Sequence, residues 1–420
     1  MDSSSNTAST KTASPSDASP QVLVIVPARN EEANLERCLR SLVVQKGIPF
    51  AVFVVNDSST DRTQAIAESF TRVRQCPFIG LNQDLVDVQV LGAPAELPTG
   101  TNGKVQAMIA GEQFARAAFP EAKWLLFTDA DTEHLEGSLA AAVAEATEAK
   151  ADLLSYSPEQ LLTGIRQQLV MPVLFGELAF DYSPRRVSDP ELPDAAANGQ
   201  YLLVRAKSLP QVGGLAAVSH ELLEDVALAR LYKSKGKRIL FRLGSGLVRT
   251  RMYNSWDDLR LGWTKNLALL FPEARALAAR RRAEFYRLIL SAGFALFWSL
   301  LVAVRGVTTV DWLVFVALGV LWFYAFTNFA LFYLRISRAH FSVLSTFLSP
   351  LGLPLFSGLL TRSAKAHQQG SVHWRGRDYS TDNAVGDEAV GDASAGATNA
   401  ASKAVAAKDE VGASNPKQGK

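Results

Sequence analysis

The chain has 420 residues, enough for one large domain or two ordinary ones. Its 43 Lys+Arg against 41 Asp+Glu leave a formal charge of +2, which removes any global pull toward nucleic acid or an acidic partner. Two cysteines, Cys38 and Cys76, exclude a disulfide framework, and without a CxxC or His/Cys cluster they exclude zinc; both are expected to be reduced thiols.

Residues 1–20 are rich in Ser, Thr, Ala and Pro and lack an apolar run, so they are expected to be a disordered leader, not a signal peptide. Gln21–Val26 is then a nearly continuous apolar strand, followed by a helix with Leu35, Leu39 and Leu42 on one face. Ala51–Val55, Val86–Leu91, Trp124–Thr128 and Ala151–Tyr156 repeat the strand pattern, and helical stretches separate them, including Lys104–Phe119 and Leu135–Lys150. Apolar strands alternating with helices predict an α/β fold with a mostly parallel sheet covered on both faces. Ligands in such sheets bind beyond the carboxyl ends of the strands, so polar residues there are the site candidates.

The last third changes character. Leu288–Val304, Trp312–Leu334 and Phe341–Thr361 are uncharged apolar runs, and a bilayer span takes about 20 such residues. The third run contains Pro350, Gly352 and Pro354. Arg275, Arg280, Arg281, Arg282 and Arg287 before the first run, and Arg335 and Arg338 after the second, put the N-terminal domain on the cytoplasmic side. Arg362, Lys365, Arg375 and Arg377 follow the third run and give the same sign. Three full crossings do not satisfy all of these clusters. Two crossings plus a proline-broken re-entrant or interfacial segment do. Leu161–Tyr182 is apolar but carries Arg166 and Glu177, and reads as an interfacial stretch. The expected divisions are a leader (1–20), a catalytic domain (21–266), a basic juxtamembrane segment (267–287), a membrane region (288–361), a basic cytoplasmic segment (362–380) and a disordered tail (381–420).

Four polar clusters follow the strands. Pro27-Ala28-Arg29-Asn30-Glu31-Glu32 ends strand one, where proline stops the ladder. Asn56-Asp57-Ser58-Ser59-Thr60-Asp61 follows strand two and, alone, is an Asx turn with a helix cap. Thr128-Asp129-Ala130-Asp131 follows strand four; its two carboxylates form a hard oxygen site suited to Mg²⁺ or Mn²⁺. Glu224-Asp225 opens a helical pattern, where the helix dipole favours acids. Between them, Thr99-Gly100-Thr101-Asn102-Gly103-Lys104 delivers a lysine at a helix start without Walker spacing.

Together and in this order, these motifs resemble family 2 glycosyltransferases of the GT-A fold, over Gln21 to Asn266 and on into the membrane part. The resemblance implies that Pro27, Arg29, Glu31 and Asp57 bind the nucleotide-sugar, with Asp57 at the base. It implies Asp129 near the ribose and diphosphate and Asp131 on the metal, with Asp129 assisting. Asn198-Gly199 resembles the acceptor-side segment, and Glu224-Asp225 the motif whose aspartate is the base in inverting members. Gly370, Ser371, Val372, Trp374, Gly376, Arg377 and Tyr379 resemble the ending of glycosyltransferases associated with hopanoid and carotenoid pathways. The hopanoid-associated relatives tend to begin with a membrane helix, which this leader lacks. The QxxRW motif of processive synthases is absent: the region reads Arg249-Thr250-Arg251-Met252-Tyr253 and Gly262-Trp263-Thr264-Lys265-Asn266, which favours single-sugar transfer.

The expected chemistry is inverting transfer from a nucleotide-sugar to a lipid or polyprenyl-type acceptor at the cytoplasmic membrane face. Asp225, with Glu224 second, serves as base; Lys104 or Arg251 adds positive charge; Arg251 and Trp263 join the acceptor side; Mn²⁺ or Mg²⁺ is the cofactor. Two other classes predict different residues. A dinucleotide oxidoreductase needs GxGxxG after strand one, where this chain has no glycine, and a non-catalytic scaffold would lack the DxD and Glu-Asp carboxylates.

Overall fold

The computed structural model describes residues 19–71, 86–94, 96–98, 100–305, 312–374 and 377–380. Cys76, the leader to residue 18, Thr99, Arg375, Gly376 and the tail from 381 lie outside them.

The N-terminal part runs β1 (Val22–Ala28), α1 (Leu35–Val43), β2 (Phe50–Asn56), α2 (Thr63–Thr71), β3 (Asp87–Gly92), α3 (Gly103–Ala118) and β4 (Trp124–Thr128). It continues through β5 (Thr132–His134), α4 (Ser138–Glu148), β6 (Leu153–Ser157), β7 (Glu159–Gln160), α5 (Ile165–Asp181), α6 (Pro184–Ser188) and β8 (Tyr201–Arg205). Then follow α7 (Glu224–Ser234), β9 (Ile239–Leu243), β10 (Val248–Thr250) and α8 (Trp256–Leu270). Seven strands form one sheet in the order β3-β2-β1-β4-β8-β6-β9. Only β8 runs antiparallel to its neighbours, β4 and β6; the other pairings are parallel. This is the mostly parallel, helix-flanked sheet expected from the alternation of apolar strands and helices.

Burial on both faces explains the unbroken apolar strands. In β1, Leu23 and Ile25 enter the core beneath α3, whereas Val22, Val24 and Val26 enter the opposite core beneath α1 and α4. Gly111 lets α3 lie close to the sheet: a Cβ there would sit 2.7 Å from Ile25 and 2.8 Å from Val55. A small second sheet, β5-β10-β7, lies beyond the end of β4 and shapes the rim where the motifs gather.

The C-terminal part comprises α9 (Ala274–Arg305), α10 (Trp312–Ile336), α11 (Val343–Leu348) and α12 (Leu353–Gln368), then the hairpin of β11 (Ser371–Trp374) and β12 (Arg377–Ser380). The 267–287 segment is divided: its first residues finish α8, and from Ala274 it belongs to α9. Among the described residues, three helical stretches are by length and composition able to cross a membrane: Ala274–Val304, Trp312–Ala339 and Val343–Gln368. The first two leave large apolar side chains such as Leu290, Phe297, Phe323 and Phe326 exposed, a pattern that water does not favour over so wide a surface. The third is half buried within the protein. It breaks at Ser349–Gly352, where a Cβ on Gly352 would collide with the Leu169 carbonyl of α5.

A third core joins the two parts. Val170 and Leu174 of α5, Leu259 and Trp263 of α8, Phe332 of α10 and Phe356 of α12 pack together. Glu177, which in the sequence looked like an interruption of an interfacial stretch, is buried in this junction. It pairs with Arg281 of α9 and Arg335 of α10, each at 2.9 Å, and these arginines both reach Glu284, at 3.0 and 2.8 Å. Two arginines counted toward membrane orientation are therefore internal ion-pair partners. Breaking a buried pair leaves an uncompensated charge and costs about 3–5 kcal/mol. Arg335→Met should accordingly lower the thermal midpoint of the detergent-solubilised protein markedly, measured by scanning fluorimetry. An unchanged midpoint would show that the network carries no net stabilisation.

Candidate functional site

The loops after β1 and β2 are tied to each other. The Asn30 carboxamide oxygen accepts the Thr60 N–H at 2.9 Å, and Asp61 accepts the Glu32 N–H at 3.1 Å. Asn30 and Ser58 take left-handed backbone conformations, each at φ 52°, which turn the chain sharply at the strand ends. Within the second loop, Asn56 accepts the Ser59 N–H at 3.2 Å and Asp61 accepts the Thr63 N–H at 2.9 Å. The Asx-turn reading thus describes Asn56 and Asp61, whereas Asp57 turns into a cavity. Arg29 donates to the Asp57 carbonyl at 2.9 Å and stands 3.8 Å from its carboxylate. The Glu31 N–H donates to the Thr63 hydroxyl at 2.7 Å, and the Glu31 carboxylate accepts from Asn34 at 3.0 Å.

At the end of β4, Thr128 donates to the Gln200 carbonyl at 2.7 Å, and the buried Asp131 follows. The Asp131 carbonyl accepts from the Thr250 hydroxyl at 3.2 Å and the Arg251 N–H at 3.4 Å, which fixes the turn against β10. Burial pushes His134 down to about 3, so it is a neutral packing residue. Burial likewise pushes the Cys38 thiol upward, leaving it protonated and inert beside the Asp129 carbonyl.

Asn102 caps α3 by accepting the Lys104 N–H at 3.0 Å, which aims the lysine across the cavity. Its ammonium lies 2.7 Å from Asp129 and 2.8 Å from Glu224. Burial works against its charge, but the two carboxylates outweigh burial and hold it protonated, with a proton affinity well above that of an ordinary lysine. Glu224 responds in the opposite sense. Burial favours its neutral form, yet Lys104 and Lys265 outweigh this and lower its pKa. Asp225 accepts the Gly199 N–H at 2.7 Å and the Val226 N–H at 2.8 Å. Burial first, and the adjacent Glu224 second, nevertheless raise its pKa to about 6.

These groups line a polar cavity of about 230 Å³. Pro27, Arg29, Glu31, Asp57 and Lys104 face it, as do Asp129, Asp131, Asn198, Gly199, Glu224 and Asp225. Beside it lies an apolar cavity of about 490 Å³ with walls that include Leu178, Phe241, Trp263, Leu270, Phe341 and Leu344. The two meet at Asn198, Leu223, Asp225, Met252 and Asn266, which border both. The described residues contain no cluster of three His, Cys, Asp or Glu able to hold a metal. Asp129 and Asp131 nevertheless fit a hard divalent cation that takes one or two carboxylates and completes its shell with water and phosphate.

Residues 23–83 match the family model described as Glycosyl transferase family 2. Over that stretch the chain is similar to family 2 glycosyltransferases. It is 26% identical over 365 residues to a 4,4'-diaponeurosporenoate glycosyltransferase of Staphylococcus aureus, covering 85% of this chain and 88% of the relative. It is 40% identical over 72 residues to an uncharacterized protein of Mycobacterium tuberculosis, covering 16% of this chain and 23% of that protein. A solved mannosyltransferase of Pyrobaculum calidifontis in complex with GDP-Man and Mn²⁺ aligns at 15% identity and TM-score 0.44, over 83% of this chain and 87% of its own.

Of the two residues expected on the acceptor side, Trp263 borders the apolar cavity and Arg251 borders neither cavity. Five polar residues of the cavity are not among the expected site residues: Asn102, Gln200, Tyr253, Lys265 and Asn266. A signal for the last two existed in helical spacing, since Gly262, Lys265 and Asn266 share one face of α8. Gly262 is needed there, because a Cβ would collide with the Tyr253 ring. Lys104→Met removes the cation shared by Asp129 and Glu224. Because the folded-state pKa of Glu224 is lowered, the stabilisation exists above its unfolded pKa and is lost as pH falls through the folded one. The thermal midpoint of the variant should therefore trail the wild type most at neutral pH, and the gap should narrow on acidification, as followed by scanning fluorimetry across a pH series.

Proposed function

We propose that this protein transfers a single sugar, with inversion, from a nucleotide-sugar to a lipophilic acceptor at the cytoplasmic face of a membrane. One observation carries the reading: Asp225, a carboxylate of raised proton affinity, stands where the polar cavity opens into the apolar one. The diaponeurosporenoate named by the S. aureus relative supports a lipophilic acceptor. The exposed apolar helices α9 and α10 support delivery of that acceptor from a bilayer.

In this reading Asp57 and Arg29 receive the base end of the donor, and Asp129 and Asp131 would hold a divalent cation, Mn²⁺ or Mg²⁺, which when bound would offset negative charge on the leaving diphosphate. Lys104, which lines the same cavity beside Asp129, adds a fixed positive charge there. The acceptor oxygen enters from the apolar side and attacks C1 of the sugar as the C1–O bond to the diphosphate breaks. Asp225 takes the acceptor proton, and the Gly199 and Val226 N–H groups hold its carboxylate in place. A pKa near 6 suits this task, because the group is ionised at neutral pH yet basic enough to take a proton.

The experiment is a donor screen by thermal shift with Mn²⁺ or Mg²⁺, followed by incubation with membrane lipid extract and mass spectrometry of the products. A glycosylated lipid of inverted anomeric configuration is expected. Retained configuration, or equal turnover of a water-soluble acceptor by a chain lacking the membrane helices, would overturn the reading. Asp225→Asn should slow transfer by about 10²–10⁴-fold while donor affinity survives, the usual contribution of a general base. In the wild type, transfer should rise with pH through about 6 as Asp225 ionises, and the variant should lack that limb. Asp131→Ala should abolish the metal-dependent part of donor affinity, read by calorimetry with and without Mn²⁺.

A further inference from the structure

The junction of α9 and α12 carries a second polar feature, remote in composition from both catalytic cavities. A groove of about 600 Å³ runs between these helices and is lined by Arg275, Ala278, Ala279 and Arg282 of α9, with Thr361, Lys365 and Gln368 of α12 and the adjoining Gln369. It shares no lining residue with the polar or apolar cavity. Three side chains in it are cationic and none is acidic. Spacings of three and four place the α9 residues on one helix face, and the same spacing places Thr361, Lys365 and Gln368 on one face of α12.

Among the described residues these cations form no ion pair. Arg281, on the adjoining face of α9, is consumed by Glu177 and Glu284, and Arg280 stands 3.6 Å from Glu273. Arg275, Arg282 and Lys365, by contrast, have no carboxylate within ion-pair distance among the described residues. Arg275 contacts Gln368, and Arg282 reaches only the Ser357 hydroxyl at 3.5 Å. All three are exposed, and three like charges converging on one groove repel one another unless an anion joins them.

What lies beyond the groove decides which anion. Continued along α9 at the same spacing, the face passes from Arg275 and Arg282 to Tyr286, Ile289, Leu290 and Phe297, all exposed. A soluble anion has no use for that apolar continuation, but a molecule with a charged head and hydrocarbon chains matches both ends. We infer that this groove binds the headgroup of an anionic glycerophospholipid, with its acyl chains along the exposed face of α9. The phosphodiester meets Arg275, Arg282 and Lys365, and Gln368, Gln369 and Thr361 offer hydrogen bonds to headgroup hydroxyls. A choline headgroup brings its own cation among the three and is disfavoured, so the site selects by headgroup charge.

The test uses the full chain purified in a neutral detergent, with native mass spectrometry after addition of phosphatidylglycerol or phosphatidylcholine. The wild type should retain phosphatidylglycerol in preference to phosphatidylcholine. Each basic side chain near an anionic headgroup is worth about fivefold, so Arg275→Gln/Arg282→Gln/Lys365→Gln should weaken that retention roughly a hundredfold. Retention of phosphatidylcholine and thermal-shift binding of donor should not change, because none of the three residues lines a catalytic cavity. Lys365→Gln alone should give a smaller loss of the same sign, independent of whether the triple variant folds. Equal retention of both lipids by the wild type, or undiminished phosphatidylglycerol on the variants, would overturn the assignment. So would displacement of phosphatidylglycerol by an equal concentration of inorganic phosphate, which would make this a site for soluble anions.

Discussion

The ammonium of Lys104 is the interaction on which the site depends. It spans from Asp129, at the end of a central strand, to Glu224, at the start of a helix almost a hundred residues later in the chain. Without a cation between them, Asp129, Glu224 and Asp225 would crowd three negative charges into one small cavity. With it, the acids divide into unequal roles. Glu224 is held ionised by the lysine, while Asp225, one residue on, feels burial and the Glu224 charge and keeps a higher proton affinity. Two adjacent carboxylates are thus driven apart in pKa, Glu224 downward by Lys104 and Lys265 and Asp225 upward by burial and the Glu224 charge, the condition for separate electrostatic and proton-accepting tasks.

A second charged arrangement does for the whole molecule what Lys104 does for the site. Glu177, Arg281, Glu284 and Arg335 form a closed square of two acids and two arginines on three helices. Such groups are costly to bury singly but compatible when each has two partners of opposite sign. Apolar packing alone would tolerate small slides of α9 and α10 against α5. Fixed ion-pair geometry does not, and this holds the apolar cavity in register with Asp225.

Much of this was legible in the sequence, and the omissions have identifiable causes. β1, β2 and β4 stood out because both of their faces are buried, which makes each strand a solid apolar run. β8 (Tyr201–Arg205) is not legible in the same way, because it joins the sheet antiparallel, outside the strand–helix alternation that exposes the others. The loop carboxylates were found because strand ends are where such sheets place ligands. Lys265 was not, since a lysine on a helix reads as solvated until its neighbours are known. Glu177 and Arg335 illustrate the same limit, because a buried ion pair is a property of two distant residues together. The meeting of the two cavities at Asp225 was equally hidden, for its walls are drawn from residues as far apart as Leu178 and Leu344.

The short segment after α10 has a consequence for how the acceptor is met. Phe341 in that connection and Leu344 at the start of α11, which close the apolar cavity, come from the membrane-type part and not from the sheet domain. Neither part encloses the cavity alone; the container exists only where they join. For the proposed reaction, an acceptor already dissolved in lipid would move sideways along the leaflet and find its binding wall at the bilayer boundary. Encounter then becomes a search in a plane, and sparing solubility in water, ordinarily an obstacle to catalysis, concentrates the acceptor at the entrance.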